Sequence, residues 1–336
     1  MSSSRLSIAL DAPDALPPSG IVSVFGPAAG TDLSAIPRDR VAVVQGFRPD
    51  HDAWAAAGYA VSPEPTGPYA AAIVCIPRAR ALARDRVARA VALVPEGAPV
   101  WVDGDKTDGI DTLIRDLRAR VALSDPIAKA HGKAAMFLSP GPQAFADWLA
   151  ADRTPAPGFT APPGAFSSDA PDPASVLLAG ALPAKLKGRV ADLGAGWGYL
   201  SAAILTHPAV TECHLVEADH AALQAARSNI ADPRAVFHWA DARTFKTAPL
   251  DAVVTNPPFH DGRAADPALG AAFIAAAARM LTTSGTLWLV ANRHLPYEPA
   301  LKAAFREVEE VAGTGAFKVM RAARPVRGPS SAPHRR

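Results

Sequence analysis

Cysteine is nearly absent from this chain: there are 2 in 336 residues, Cys75 and Cys213. Both sit in apolar, strand-like segments and read as buried thiols, so neither a disulfide framework nor a thiolate metal site is expected. His207, His214, His220, His238 and His260 are scattered without metal-ligand spacing, and no metal is predicted. No apolar run approaches the ~20 residues needed to span a bilayer. Met1 to Gly20 also lacks a basic start followed by an apolar block, so a cytoplasmic protein is expected. Charge of one sign is missing too: 34 Lys and Arg against 32 Asp and Glu leave a net charge of +2. That balance by itself announces no nucleic-acid partner. A hydrophobic fraction of 49% leaves ample material for two cores, and 336 residues suit two domains better than one.

The most informative residues end the apolar run Asp251-Ala252-Val253-Val254-Thr255: they are Asn256-Pro257-Pro258-Phe259-His260. Two prolines have fixed φ and no N–H, and Pro257 biases Asn256 toward an extended backbone. The corner is therefore stiff and poor in donors. It offers acceptors, the Asn256 side-chain oxygen and the Pro257 carbonyl, which can converge on one amino group and aim its lone pair outward. Phe259 adds an aromatic face for a flat ring. A planar amine is the expected ligand, although a rigid turn after a strand would use the same residue types.

Upstream, the strand Arg189-Val190-Ala191-Asp192-Leu193 runs into Gly194-Ala195-Gly196-Trp197-Gly198, followed by a helix-like stretch from Tyr199 to Thr206. Strand, glycine turn and helix form the nucleotide-binding unit of a doubly wound sheet, where a missing Cβ lets backbone approach a ligand. Asp192 suits a cationic ligand better than a diphosphate. The next strand, Cys213 to Val216, ends at Glu217, placed to accept from both hydroxyls of a ribose. Ala235 to Trp239 ends in Ala240-Asp241-Ala242, where Asp241 can hold an adenine amine. Four strands ending in ligand-type residues on one sheet edge indicate adenosine plus positive charge, hence S-adenosylmethionine as cofactor.

Glycine turn, acidic second strand, Asp241 and Asn-Pro-Pro-Phe together resemble the class I methyltransferases that modify exocyclic amines. Further segments narrow the likeness: Gly164-Ala165-Phe166-Ser167, Asp169, Asp172, Ser175 and Leu177-Leu178; Asn256 through Gly262; Val290 through Tyr297; and Gly315-Ala316-Phe317-Lys318-Val319. They resemble the bacterial ribosomal RNA guanine-N2 methyltransferases of the RsmC/RlmG type. Ser168 and Pro173-Ala174 depart from that pattern, in which a basic residue follows Phe-Ser and a glycine precedes the later Ser. The resemblance implies an α/β protein of two tandem Rossmann-like methyltransferase domains. In the second, a seven-stranded, mostly parallel sheet has an antiparallel last strand; the first is degenerate. It implies methyl transfer to guanine N2 in ribosomal RNA of the small subunit, with Asn256, Pro257, Pro258 and Phe259 catalytic. Asp192, Gly194, Ala195, Gly196, Gly198, Glu217, Asp241, Ala242 and Asn256 are the expected cofactor residues. Other planar amines (23S rRNA guanine N2, DNA adenine N6, a protein glutamine) or a non-catalytic RNA-binding assembly factor remain alternatives.

The chain also looks duplicated. Ala72-Ile73-Val74-Cys75-Ile76-Pro77, a helix to Ala90 and the strand Pro99-Val100-Trp101-Val102 repeat the plan of Val253 to Pro257, the helix around Ala271 to Met280 and the strand Thr286-Leu287-Trp288-Leu289-Val290. In the first copy Ile76 is expected where Asn256 stands in the second, and Ile21 to Phe25 leads only to Gly26-Pro27. Residues 1–152 are thus expected to support or dock RNA, 153–165 to be a Pro/Gly linker, 166–324 to be catalytic and 325–336 to be a disordered basic tail. Arg78, Arg80, Arg84, Arg86 and Arg89 share a predicted helix without forming one stripe. An internal duplication can stand in for a dimer, and a monomer is expected.

Overall fold

The computed structural model describes residues 4–258, 260–261, 264–265 and 267–327. Its contacts divide the chain into two units, Met1–Asp152 and Arg153–Arg336.

The first unit contains α1 (Arg5–Leu10), β1 (Val22–Phe25), β2 (Val41–Val44), α2 (Arg48–Ala56), β3 (Ala60–Ser62), β4 (Ala71–Cys75), α3 (Arg80–Ala92), β5 (Pro99–Asp105), α4 (Ile110–Arg118), β6 (Ile127–Lys129) and β7 (Gly132–Leu138). Its sheet runs β3-β2-β1-β4-β5-β7-β6, parallel as far as β5 and antiparallel at β7 and β6. The pattern behind it is local: β1 is buried at every position and apolar at every position but Ser23, as a strand covered on both faces must be. Helix α4 buries Ile110, Leu113, Ile114 and Leu117, the spacing of one helical face.

The second unit opens with a hairpin, β8 (Arg153–Ala156) and β9 (Phe159–Ala161), then α5 (Pro173–Ala181), β10 (Gly188–Leu193), α6 (Tyr199–Leu205), β11 (Val210–Glu217), α7 (His220–Asn229), β12 (Ala235–Trp239) and β13 (Leu250–Thr255). The short strands β14 (His260–Asp261) and β15 (Ala264–Ala265) precede α8 (Pro267–Met280), β16 (Leu281–Asn292), α9 (Glu298–Ala304), β17 (Phe305–Gly313) and β18 (Phe317–Pro325). The seven-stranded sheet runs β12-β11-β10-β13-β16-β18-β17, with β18 antiparallel to both neighbours. The α/β class, the two methyltransferase-like units and the antiparallel last strand are as expected from the sequence. One face of this sheet carries Leu193, Val253 and Leu289 against Phe273, Ile274 and Ala277 of α8. The other carries Val190, Leu215 and Val254 against Ile204 of α6 and Leu223 of α7. Because the chain leaves β10 toward β11 and returns on its other side as β13, the carboxyl ends of β10 and β13 meet at a topological switch point, where such sheets bind ligands.

Two details differ from expectation. The stretch 153–165 is not a plain linker: Gly158, at φ 80°, turns β8 into β9. Thr160 N–H donates to Asn229 Oδ1 at 2.9 Å, Asn229 Nδ2 returns a bond to the Thr160 carbonyl at 2.8 Å, and Ala161 is buried beside Trp197. Prolines are tolerated there because an isolated hairpin leaves most N–H groups outside any ladder. Nor does order stop at Arg324, since β18 includes Pro325 and Val326 N–H donates to the Ala304 carbonyl at 2.8 Å. The rest of the expected tail, 328–336, lies outside the described residues. The basic residues before it are engaged internally: buried Lys318 pairs with Glu298, Arg321 with Glu309, and Arg324 with Glu307. Both cysteines are free, Cys213 buried and Cys75 half-buried. No helix among the described residues is long and apolar enough to cross a membrane.

Candidate active site

The glycine turn between β10 and α6 holds three residues in left-handed backbone: Gly194 at φ 76°, Gly196 at 55° and Gly198 at 97°. Gly194 and Ala195 donate N–H to the Val216 carbonyl at 2.9 and 3.2 Å, which ties the turn to the end of β11. The glycines do different work. A Cβ on Gly198 would lie 2.8 Å from Ile230 Cδ1, so that glycine serves packing, whereas a Cβ on Gly196 would meet nothing within 4 Å. Open space over a left-handed glycine lets a ligand reach the main chain. Trp197 holds the turn from the far side, donating Nε1–H to the Phe166 carbonyl at 3.1 Å.

The three expected acids sit in different settings. Glu217, at the end of β11, accepts from Gly196 N–H at 2.8 Å and from Asp219 N–H at 2.7 Å. Desolvation raises its pKa, and the backbone donors oppose the rise. Asp192 is fully buried; its Oδ2 accepts from Ser201 Oγ at 2.6 Å, while Oδ1 has no partner. Burial is the main cause that pushes its pKa up to about 7, with the neighbouring Glu217 adding to it. A direct contact between Asp192 and a cationic ligand is therefore not what the geometry offers: the carboxyl braces α6 beneath the turn. Asp241 caps its own loop, bonded to Arg243 N–H at 2.8 Å and paired with the Arg243 guanidinium at 2.8 Å. Ala242 is buried in the core.

At the end of β13, Thr255 Oγ donates to the Leu193 carbonyl at 2.8 Å, locking the two strand ends together. Asn256 then projects its amide toward α5. Nδ2 donates to Asp172 Oδ2 at 2.8 Å and to Ser175 Oγ at 2.9 Å. Both amide hydrogens are thereby used, and the group is oriented with Oδ1 as its remaining polar atom. Asp172 is also the N-cap of α5, accepting from Ser175 N–H at 2.9 Å. Pro257 is buried and Pro258 exposed; Phe259 lies outside the described residues.

A cleft at this edge is lined by Gly194, Ala195, Gly196 and Asn256, joined by Phe166, Ser167, Asp172 and Ser175 among others. Four expected site residues thus meet there; Glu217 is bonded to the lining residue Gly196, while Asp192, Gly198, Asp241 and Ala242 are not among the residues that line it. The orienting role of Asp172 and Ser175 has no signature in local periodicity; their presence in the segment of family likeness is the only sequence signal they leave. Among the described residues no group of His, Cys, Asp and Glu could hold a metal.

The first unit offers a matched control. Its register aligns Val22↔Ala71 with Val190↔Ala252 and Phe25↔Val74 with Leu193↔Thr255. Cys75, not Ile76, therefore stands where Asn256 does, because the strand pairing counts one residue differently from the Asn-Pro likeness. Gln45 replaces Glu217: its Oε1 accepts Phe47 N–H at 2.9 Å, but its Nε2 donates to the Pro27 carbonyl at 2.8 Å. Gly26 has φ 62°, and a Cβ there would lie 2.0 Å from Arg86 Nη1. By the same register Gly26 matches Gly194, so Arg86, donating to the Cys75 carbonyl at 3.0 Å, crowds a position where a Cβ in the second unit would meet only Phe273 Cε1 at 3.6 Å.

Comparison with known proteins agrees with this geometry. The family described as Methyltransferase small domain matches residues 157–321. The ribosomal RNA small subunit methyltransferase C proteins of Salmonella choleraesuis and Salmonella typhimurium are each 30% identical over 257 residues, covering 73% of this chain and 73% of theirs. The T. thermophilus 16S rRNA N2 G1207 methyltransferase (RsmC), solved in complex with AdoMet and guanosine, has the same fold at a TM-score of 0.77 and 23% identity, covering 96% of this chain and 92% of that one. The chain belongs to the ribosomal RNA small subunit methyltransferase C family.

Proposed function

We propose that the protein, acting as a monomer, transfers a methyl group from S-adenosylmethionine to the N2 amine of a guanine in 16S ribosomal RNA. The observation that carries this is the Asn256 amide, whose two hydrogens are taken by Asp172 and Ser175 in a cleft lined by the glycine turn. The residues fit the cofactor: Gly196 leaves room for close backbone approach, and Glu217 ends the strand where a ribose would lie. When bound, S-adenosylmethionine supplies a methyl group on a sulfonium, an electrophile that needs no activation by an acid.

The remaining work is positioning. Asn256 Oδ1 and the Pro257 carbonyl accept the two N–H bonds of the amine and turn its lone pair toward the methyl carbon. Phe259 is proposed to stack on the base. As the nitrogen–carbon bond forms, the amine becomes acidic and releases one proton, so no strong base is required. Orientation of this kind can supply ~7–11 kcal/mol of the barrier. A paired guanine hides N2 in the minor groove, so the target must be unpaired or extruded at a cost of about a few kcal/mol. Residues 1–152 are proposed to offset that cost by holding RNA.

The test is transfer of labelled methyl from the cofactor to unmethylated small subunits, naked 16S RNA, 23S RNA, DNA and protein, followed by mass-spectrometric mapping of the product. N2-methylguanine in 16S RNA is the expected result. Label confined to DNA, protein or 23S RNA would overturn the assignment.

A further inference from the structure

We infer that Asp172, assisted by Ser175, is a positioning residue that fixes which way the Asn256 amide faces and thereby makes the cleft select an N–H donor. This rests on the methyl-transfer reading above and deepens it. An amide has two faces of similar shape and opposite polarity: turned one way it accepts, turned the other it donates. Which way it turns decides whether an amine or a carbonyl edge of the base is held. A carboxylate has no hydrogen to give, so Asp172 can face Asn256 only through Nδ2, and it does so at 2.8 Å. A flip would press two oxygens together at that distance. Ser175 Oγ, 2.9 Å from the same nitrogen, takes the second hydrogen and completes the lock.

The lock is mounted on a rigid support. Asp172 Oδ2 simultaneously caps α5 through Ser175 N–H at 2.9 Å, so the atom that orients Asn256 is itself held by the first turn of a helix. A carboxylate is favoured at that end of a helix by its dipole. Asn256 is held equally firmly from its own side, because the preceding Thr255 is bonded to Leu193. All three residues line the cleft beside Gly194 and Gly196. Guanine presents N1–H and N2–H as donors and O6 and N7 as acceptors, and a locked Oδ1 can pair only with the donor side of that edge.

The experiment uses the full chain, unmethylated small subunits and the cofactor, with kcat, KM, cofactor affinity by calorimetry and melting temperature as readouts. Asp172→Ser keeps the helix cap, since Ser and Asp cap about equally. It removes the polarity constraint, because a hydroxyl that accepts from Ser175 N–H can still either donate to Asn256 or accept from it. A fall in kcat of tenfold or more is expected, with cofactor affinity and melting temperature nearly unchanged. Asn256→Asp opposes two carboxylates and is expected to be slower still. The pair Asp172→Ser with Asn256→Asp lets one hydroxyl accept from Ser175 N–H and donate its own hydrogen to the new carboxylate, which keeps an oxygen toward the amine, and is expected to turn over at least tenfold faster than Asn256→Asp alone. A residue that merely caps a helix gives no such rescue. Wild-type kcat in Asp172→Ser, or a double variant no faster than Asn256→Asp, overturns the lock. An inactive wild-type chain would instead overturn the methyl-transfer reading beneath it.

Discussion

The two units of this chain share one strand order, position for position, and differ at the few residues where a ligand would sit. Where the second unit has Asp192, Glu217, Asn256 and an uncrowded Gly194, the first has Val24, Gln45, Cys75 and the Arg86 guanidinium against Gly26. Both cores are built from the same apolar strands and helices, so none of these exchanges costs the fold its hydrophobic driving force. Scaffold and site are separable: the sheet edge positions whatever side chains end its strands, and those side chains alone decide whether chemistry follows.

Matched substitutions in the two units break or sharpen that contrast. Asn256→Ala is expected to lower kcat by ~10²–10³, the usual loss when one oriented hydrogen-bonding group leaves a transition state. Cofactor affinity by calorimetry should hardly change, and Cys75→Ala should alter neither quantity. Equal loss of turnover in both variants would show that the first unit takes part in the chemistry.

Asp192 and Val24 give the next contrast, read as stability against pH. The Asp192 carboxyl goes from an ordinary 3.8 to about 7 on burial, so between those values the folded state holds a proton that the unfolded chain has lost. This group's stabilising contribution is full below the lower value and is lost as pH rises through the upper one. At about 1.4 kcal/mol per pKa unit the effect amounts to a few kcal/mol. Melting of wild type and Asp192→Asn from acid to neutral pH should therefore show a shallower decline in the variant. Identical slopes would mean that Asp192 is charged throughout.

Gly196→Ala is expected to weaken cofactor binding by tenfold or more, since its Cβ enters the open space and a left-handed alanine costs ~1–2 kcal/mol. Gly26→Ala should lower the melting temperature by displacing Arg86 and leave cofactor binding untouched. The smallest effect belongs to Arg86→Ala: a slight loss of stability, with calorimetry still giving one cofactor per chain. Two cofactors per chain would mean that Arg86 alone keeps the first site closed.

Much of this was legible beforehand in residues whose meaning is local. The glycine turn needs residues that tolerate positive φ, and all three glycines adopt it. The apolar runs ending at Leu193, Glu217, Trp239 and Thr255 are strands that end there. The duplication was visible because each copy repeats the same apolar period. Less legible was what each strand-end side chain does. Asp192 looked like a cofactor acid and is turned under α6 toward Ser201; Asp241 looked free for an adenine and is held by Arg243. Ile76 looked like the counterpart of Asn256 until the ladder registers put Cys75 there. Arg86 looked like one basic residue on a helix face and instead points inward over Gly26.

By itself, then, the order of amino acids determined the class of fold, the two-fold repetition and the position of the Asn-Pro-Pro corner. Each of these follows from hydrophobic periodicity or from backbone limits imposed by glycine and proline, which act over a few residues. Tertiary structure alone decided that Asp172 and Asn256, 84 residues apart, share a hydrogen bond, and that Arg86 crowds Gly26 while its counterpart Gly194 is left clear. Those outcomes depend on strand register and on the direction of side chains packed from distant segments, which no local pattern encodes.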